Sequence, residues 1–86
     1  MIHLTDDTMC AVSTAPGVGG IAVIRVSGKD AIEIVNTIWR GKDLSHVGSH
    51  TAHLGDLLDD GGEVLDNAVV TVFRAPNSFT GEDVVE

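Results

Sequence analysis

Arg25 sits in the run Ile21-Ala22-Val23-Ile24-Arg25-Val26, where every neighbour is aliphatic. A cation inside an apolar strand must meet a carboxylate, a ligand anion or solvent at an interface, because a buried charge without a partner is too costly to keep. Glu82, Asp83 and Glu86 are the candidate carboxylates for an ion pair, and a ligand or subunit contact is the alternative. The nearby segment Phe79-Thr80-Gly81-Glu82-Asp83 gathers an aromatic ring, a hydroxyl, a glycine and two acids in five residues. Its simplest reading is a hydroxyl-stabilised turn ahead of a strand, and its composition also suits a binding loop.

Two further patterns suggest chemistry and fail on context. His46, His50 and His53 give H-x3-H-x2-H, but zinc needs its imidazoles to converge tetrahedrally. In an extended segment from His50, residues an odd number apart point to opposite faces, so His50 and His53 do not converge. Surface and strand histidines are the expected roles. Gly17-Val18-Gly19-Gly20-Ile21-Ala22 satisfies G-x-G-x-x-G/A, yet it leads into a strand rather than opening a helix, so no helix dipole faces a phosphate. Gly28-Lys29 is no P-loop either, since Val23 replaces the first glycine and Asp30 the hydroxyl residue that holds magnesium. Cys10, in an apolar run, reads as a small buried hydrophobe.

The elements that must position these residues follow from period and punctuation. Thr8–Ser13 is a short β-compatible run ended by the turn residues of 14–20. Ile21–Val26 predicts a central strand. Ser27 and Asp30 have the spacing of a capping box, and the helix expected from Asp30 to about Trp39 places Ala31, Ile34, Val35 and Ile38 on one stripe. Arg40-Gly41-Lys42 is expected to close it. Residues 45–49 read as loop, His50–Leu58 as a strand, Asp59-Asp60-Gly61-Gly62 as a hairpin turn. The return strand runs from about Val64 to Phe73. A nine-residue turn-rich loop over 75–83 precedes a last apolar start at Val84-Val85-Glu86. A β-β-α-β-β-(β) order predicts an α+β domain, a small, mostly antiparallel or mixed sheet with one main helix on one face. A domain that stops on the first residues of a strand reads as incomplete at its C-terminal end.

The chain has 86 residues, and 43% of them are hydrophobic, enough for one small core. Lys plus Arg is 5 against 13 Asp plus Glu, a net of −8. Residues 44–86 carry only Arg74 against eight acids, so phosphate neutralisation is nearly absent and direct nucleic-acid binding by this segment is not expected. One cysteine excludes an internal disulfide. No apolar run reaches the ~18 residues of a membrane span, and the start lacks a basic leader region. These features read as a soluble cytoplasmic domain.

Asp7-Thr8 and the block from Ser13 to Gly28, with Ser49-His50-Thr51-Ala52-His53-Leu54-Gly55 and the block from Ala75 to Glu86, resemble the start of the MnmE (TrmE) family of bacterial tRNA-modifying GTPases. Ala15 stands where that family usually has a second proline, and Phe79 where tyrosine also occurs. The resemblance implies the N-terminal domain of such an enzyme, with an α+β fold similar to the tetrahydrofolate-binding domain of the glycine-cleavage aminomethyltransferase. It implies a homodimer through this domain and binding of a tetrahydrofolate derivative, typically 5-formyltetrahydrofolate, near the dimer interface. Arg25 and Glu86 match family folate-contact positions, and a third contact, a lysine, is expected beyond residue 86. GTP, K+ and Mg2+ belong to a GTPase domain outside this chain. The flavoprotein MnmG and tRNA are partners of the full-length enzyme, which modifies the wobble uridine. No catalytic residue is expected within these 86. A purely structural dimerisation domain with negligible folate binding is the alternative, and a free-standing folate-dependent transferase is disfavoured because no nucleophile or base cluster is readable.

Overall fold

In the computed structural model, residues 2–3, 8–12, 22–78 and 80–86 are described. The glycine-bearing stretch 13–21 and Phe79 lie outside them. Among the described residues seven strands form one sheet: β1 (Ile2–His3), β2 (Met9–Val12), β3 (Ile24–Ser27), β4 (Trp39–Arg40), β5 (Thr51–Leu58), β6 (Val64–Phe73) and β7 (Val84–Val85). Their spatial order is β1-β2-β3-β7-β6-β5-β4, and each neighbouring pair is antiparallel. One helix, α1 (Ala31–Thr37), and a 3-10 turn (Leu44–His46) complete the elements of the described residues. The α+β expectation holds, with the sheet entirely antiparallel.

The strand expected over Ile21–Val26 forms as β3 from Ile24, inside the sheet between β2 and β7; Ile21 lies outside the described residues, and Ala22 and Val23 precede the strand. β5 and β6 form the longest ladder. Their hairpin turns at 59–62, where Asp59 Oδ1 accepts from the amides of Gly61 (2.8 Å) and Glu63 (2.9 Å). Gly62 takes φ 83° there, a value a side chain would oppose.

Three local expectations are corrected. α1 ends at Thr37, because Trp39 is drawn into β4 opposite Leu57 and is buried there. The indole lies over Gly41 and Gly55, and its Nε1 donates to the Lys42 carbonyl at 2.9 Å. Arg40 therefore faces Asp56 across the β4–β5 pair rather than capping the helix. The capping box does not form. Asp30 is the N-cap without a side-chain bond, and its amide donates instead to Oγ1 of the fully buried Thr8 at 3.3 Å. The buried helix face is Ala31, Ile32 and Val35, while Ile38 is exposed. Two turns are too few to express the predicted stripe, and the chain swings away after Val35 toward β4.

That helix face packs with Trp39, Leu44 and Val47 onto Val26, Val70, Val72 and Val85 of the sheet. This cluster, aliphatic but for Trp39, is the core, on one side of the sheet. Burying such side chains contributes roughly 25 cal/mol per Å² of apolar area removed from water.

Candidate functional site

The opposite sheet face carries the residues singled out for chemistry. Val26 pairs with Val85, and both point into the core. Alternation then turns Arg25 and Glu86, their chain neighbours, to the other face. Glu86 is locked to β6 through the backbone, exchanging two hydrogen bonds with Thr71 (2.7 and 2.9 Å). Its carboxylate meets Arg25 head on: Nε donates to Oε2 at 2.7 Å, and Nη2 lies 2.5 Å from the same oxygen. The two side chains are 34% and 20% exposed, buried enough to fix the pair and open enough for a ligand to reach. Of the three carboxylates considered for Arg25, the partner is thus Glu86.

Ala11 is opposite Arg25 in the β2–β3 register, and Ala52 is opposite Thr71 in β5–β6. Ala11, Arg25, Glu86, Thr71 and Ala52 therefore form a row across five strands, small at both ends and charged at the centre. A flat heterocycle presenting N–H donors and carbonyl acceptors along one edge has complementary partners there. Glu86 offers acceptors, and Arg25 offers a fork of donors.

The 75–83 segment folds beside this row. The Ala75 amide donates to Asp83 Oδ1 (2.8 Å), the Ser78 hydroxyl to the Glu82 carbonyl, and the Gly28 amide to the Asp83 carbonyl (2.9 Å). Thr80 Oγ1 accepts from the Glu82 amide (3.4 Å) and shares a hydrogen bond with Ser27 Oγ (2.8 Å). This is the hydroxyl-stabilised turn read from the sequence, with Gly81 at φ 81°. Ser27, expected as a helix cap, instead fastens the loop to β3. An open cleft of about 230 Å³ lies among Lys29, Ala75, Gly81, Glu82 and Asp83. Asp83, whose side chain holds the loop, is not brought to Arg25.

The histidines stay separate. His50 takes φ 61° just ahead of β5, bonds Ser49 Oγ through Nδ1 (2.8 Å) and sits edge-on to Phe73 at 5.1 Å. It lines an open cleft of about 450 Å³ with Phe73, Pro76, Asn77 and Ser78. His53 Nε2 bonds Thr51 Oγ1 (2.8 Å), and His46 lies 3.6 Å from Asp43. Among the described residues no group of three His, Cys, Asp or Glu could hold a metal ion. Neither of the two clefts includes Arg25 or Glu86. We take the charged row as the candidate site, because its paired charges, Arg25 and Glu86, join segments 61 residues apart.

Sequence reasoning missed Arg74. Its guanidinium donates to the carbonyls of Val47 (2.9 and 2.7 Å), Leu44 (3.1 Å) and Ser45 (3.3 Å), and its amide to Ser49 Oγ (2.8 Å). It clamps the 3-10 turn to the end of β6. The only available signal was its being the one cation in residues 44–86. Asp43 anchors the other end of the turn, accepting on Oδ1 from the Ser45 amide and hydroxyl and from Asn36 Nδ2. Those bonds, chiefly from Ser45, lower its carboxyl from 3.8 to about 2.

Fold and site together define a small antiparallel α+β module built around one cross-strand Arg–Glu pair. Residues 8–86 match the model of the family described as the GTP-binding protein TrmE N-terminus, and the chain belongs to that family. It is 54% identical over 81 residues to the tRNA modification GTPase MnmE of Bacillus cytotoxicus, 51% to that of Lactobacillus acidophilus and 52% to that of Bacillus thuringiensis. Each alignment covers 93% of this chain and 18% of the relative. The chain thus spans under a fifth of the length of the curated relatives it matches. Among the described residues no helix is long and apolar enough to cross a membrane.

Proposed function

We propose that this chain is the folate-binding and dimerisation module of a cytoplasmic tRNA-modifying GTPase. The observation that carries the reading is the Arg25–Glu86 pair. Sixty-one residues apart in sequence, the two are brought into contact on the sheet face opposite the core, in the positions where the family resemblance expects folate contacts. Glu86 would accept from the N–H edge of the pterin, and Arg25 would serve carbonyl or carboxylate oxygens of the ligand. When bound, 5-formyltetrahydrofolate supplies the one-carbon unit. This chain binds and orients it, and no side chain here is assigned a proton or group transfer. GTP, K+ and Mg2+ belong to the remainder of the longer protein, as do contacts with tRNA and the flavoprotein MnmG.

A second reading has its own support. Arg25 and Glu86 already bond each other at 2.5–2.7 Å, so a ligand must exchange one charged contact for another, and the pair also serves as a strut between β3 and β7. On that reading the module holds two chains together and folate affinity is negligible. Calorimetric titration with 5-formyltetrahydrofolate separates the two. Micromolar binding that falls at least tenfold in Arg25→Ala supports the folate module. Absence of binding, with dimerisation unchanged by folate, supports the structural role.

A further inference from the structure

The face that carries the charged row continues to the end of β6. Val72 is in the core, so alternation turns Thr71 and Phe73, its chain neighbours, to the side that holds Glu86. The His50 ring meets Phe73 there, edge-on at 5.1 Å. The open cleft of about 450 Å³ that these two line with Pro76, Asn77 and Ser78 therefore lies one step along the strands from Thr71 and Ala52. Two residues of strand measure about 7 Å, a distance that one aromatic ring and its linking atoms span.

The polar groups of this cleft are held in place with capacity to spare. His50 takes φ 61°, a left-handed backbone that a residue with a Cβ adopts at a cost and that marks functional positions when its surroundings enforce it. Its amide donates to the Val72 carbonyl at 2.6 Å, and its Nδ1 shares a hydrogen bond with Ser49 Oγ, which also accepts from the Arg74 amide. The ring is thus fixed from one side, and Nε2 has no partner among the described residues. The Asn77 amide donates to the Arg74 carbonyl at 3.1 Å, while its carboxamide bonds no described residue. Two apolar walls, Phe73 and Pro76, beside two unengaged polar groups suit a ring that bears an amide. The described lining residues include no Lys or Arg, so a phosphate would lack a fixed counter-charge.

We propose that the His50–Phe73 cleft is the second half of the binding site and holds the aryl-amide arm of a ligand whose heterocyclic head is on Arg25 and Glu86, an assignment that rests on the folate reading above. The arm's ring packs on Phe73 and Pro76, and its amide bonds His50 Nε2 and the Asn77 carboxamide. His50 and Asn77 thereby select ligands that carry the arm over bare pterins, whereas Arg25 and Glu86 recognise the head that both share.

Calorimetry on the full chain with two probes tests this. One is 5-formyltetrahydrofolate; the other, 5-formyl-6-methyltetrahydropterin, keeps the head and lacks the arm. The parent chain is expected to bind the first roughly tenfold more tightly, the worth of one or two hydrogen bonds and a packed ring. His50→Gly accepts the left-handed backbone without strain, and Asn77→Ala removes an exposed side chain that bonds no described residue. Each is expected to weaken 5-formyltetrahydrofolate roughly fivefold and to leave the armless probe unchanged. Arg25→Ala should weaken both probes, and Glu33→Gln, an exposed position on α1, neither. Circular dichroism checks that the variants are folded. Equal binding of the two probes by the parent, no loss in either cleft variant, or equal losses for both probes would overturn the assignment and leave the folate reading standing. A parent chain that binds neither probe would overturn both.

Discussion

Arg74 and Asp43 act on the same short turn from opposite ends, and their side-chain chemistry differs in a way that can be measured. Arg74 donates to three backbone carbonyls of this turn and its exit, those of Leu44, Ser45 and Val47. Replacing it with Met keeps the stem and removes the donors, so each of these carbonyls loses a charged partner in a part-buried setting. Hydrogen bonds to charged groups contribute about 1.5–3 kcal/mol each in favourable cases, and the partial exposure here discounts the sum. We expect Arg74→Met to lower the urea unfolding free energy by about 2 kcal/mol, with Arg74→Lys recovering only part because an ammonium lacks the planar fork. A loss below about 0.5 kcal/mol would show the clamp to be ornamental. Asp43 gives a pH signature. Its folded carboxyl titrates near 2 against an ordinary 3.8, so the folded state favours the charged form. The stabilisation is fully present above about pH 4 and is lost as pH falls through about 2. Asp43→Asn is expected to remove that part of the acid dependence. Urea midpoints at pH 2, 3 and 5 should show a shallower slope in the variant than in the parent.

At the scale of elements, the difference between what the residues announce and what they form is clearest around Trp39. Periodicity extends the helix through it, since Ile38 and Trp39 continue an apolar run. The indole, though, needs a niche without Cβ atoms, and that niche is made by Gly55, on another strand, together with Gly41. A Cβ built on Gly55 would lie 2.5 Å from Trp39 Cη2 and 2.6 Å from the Arg40 carbonyl oxygen. The backbone oxygen cannot turn aside as a flexible side chain could. Gly55→Ala is therefore expected to cost about 1–3 kcal/mol, the usual range for overpacking, and to shift the Trp39 fluorescence. A near-neutral result would mean that β4 is only loosely docked. The capping box failed for the same non-local reason: Ser27 ends β3 and bonds Thr80, while Asp30 turns to Thr8. β2, β3, β5, β6, the start of β7, the hairpin and the hydroxyl turn at Thr80 were legible because each shows in a local run of residue types, whereas β1 and β4 were not read. The Arg25 partner was legible only as one of three acids. Choosing among them required the β3–β7 register.

The whole molecule divides at β7. The β5–β6 ladder has eight register pairs, whereas β7 joins β3 by two and β6 by two. The half made of α1, the 3-10 turn, β4, β5 and β6 supplies Ala31, Ile32, Val35, Trp39, Leu44, Val47, Val70 and Val72 to the core, and β3 and β7 supply Val26 and Val85. Cooperative folding of the two halves thus depends on a two-residue strand that also presents Glu86 to Arg25. An uncompensated carboxylate at position 85, which is 2% exposed, would be expelled from the core. Expulsion reverses the strand's facing and takes Glu86 away from the site. Val85→Asp is expected to free the β2–β3 amides to exchange with solvent while the β5–β6 amides keep reduced but measurable protection. Hydrogen exchange read residue by residue decides the matter. Uniform loss across both halves would show that the core does not survive without β7, and full retention in β2–β3 would show that this pair is held by something other than the bridge. In the expected case, the proposed folate site is lost together with β2–β3 protection, since Arg25 and Glu86 are opposed only while β7 is in place.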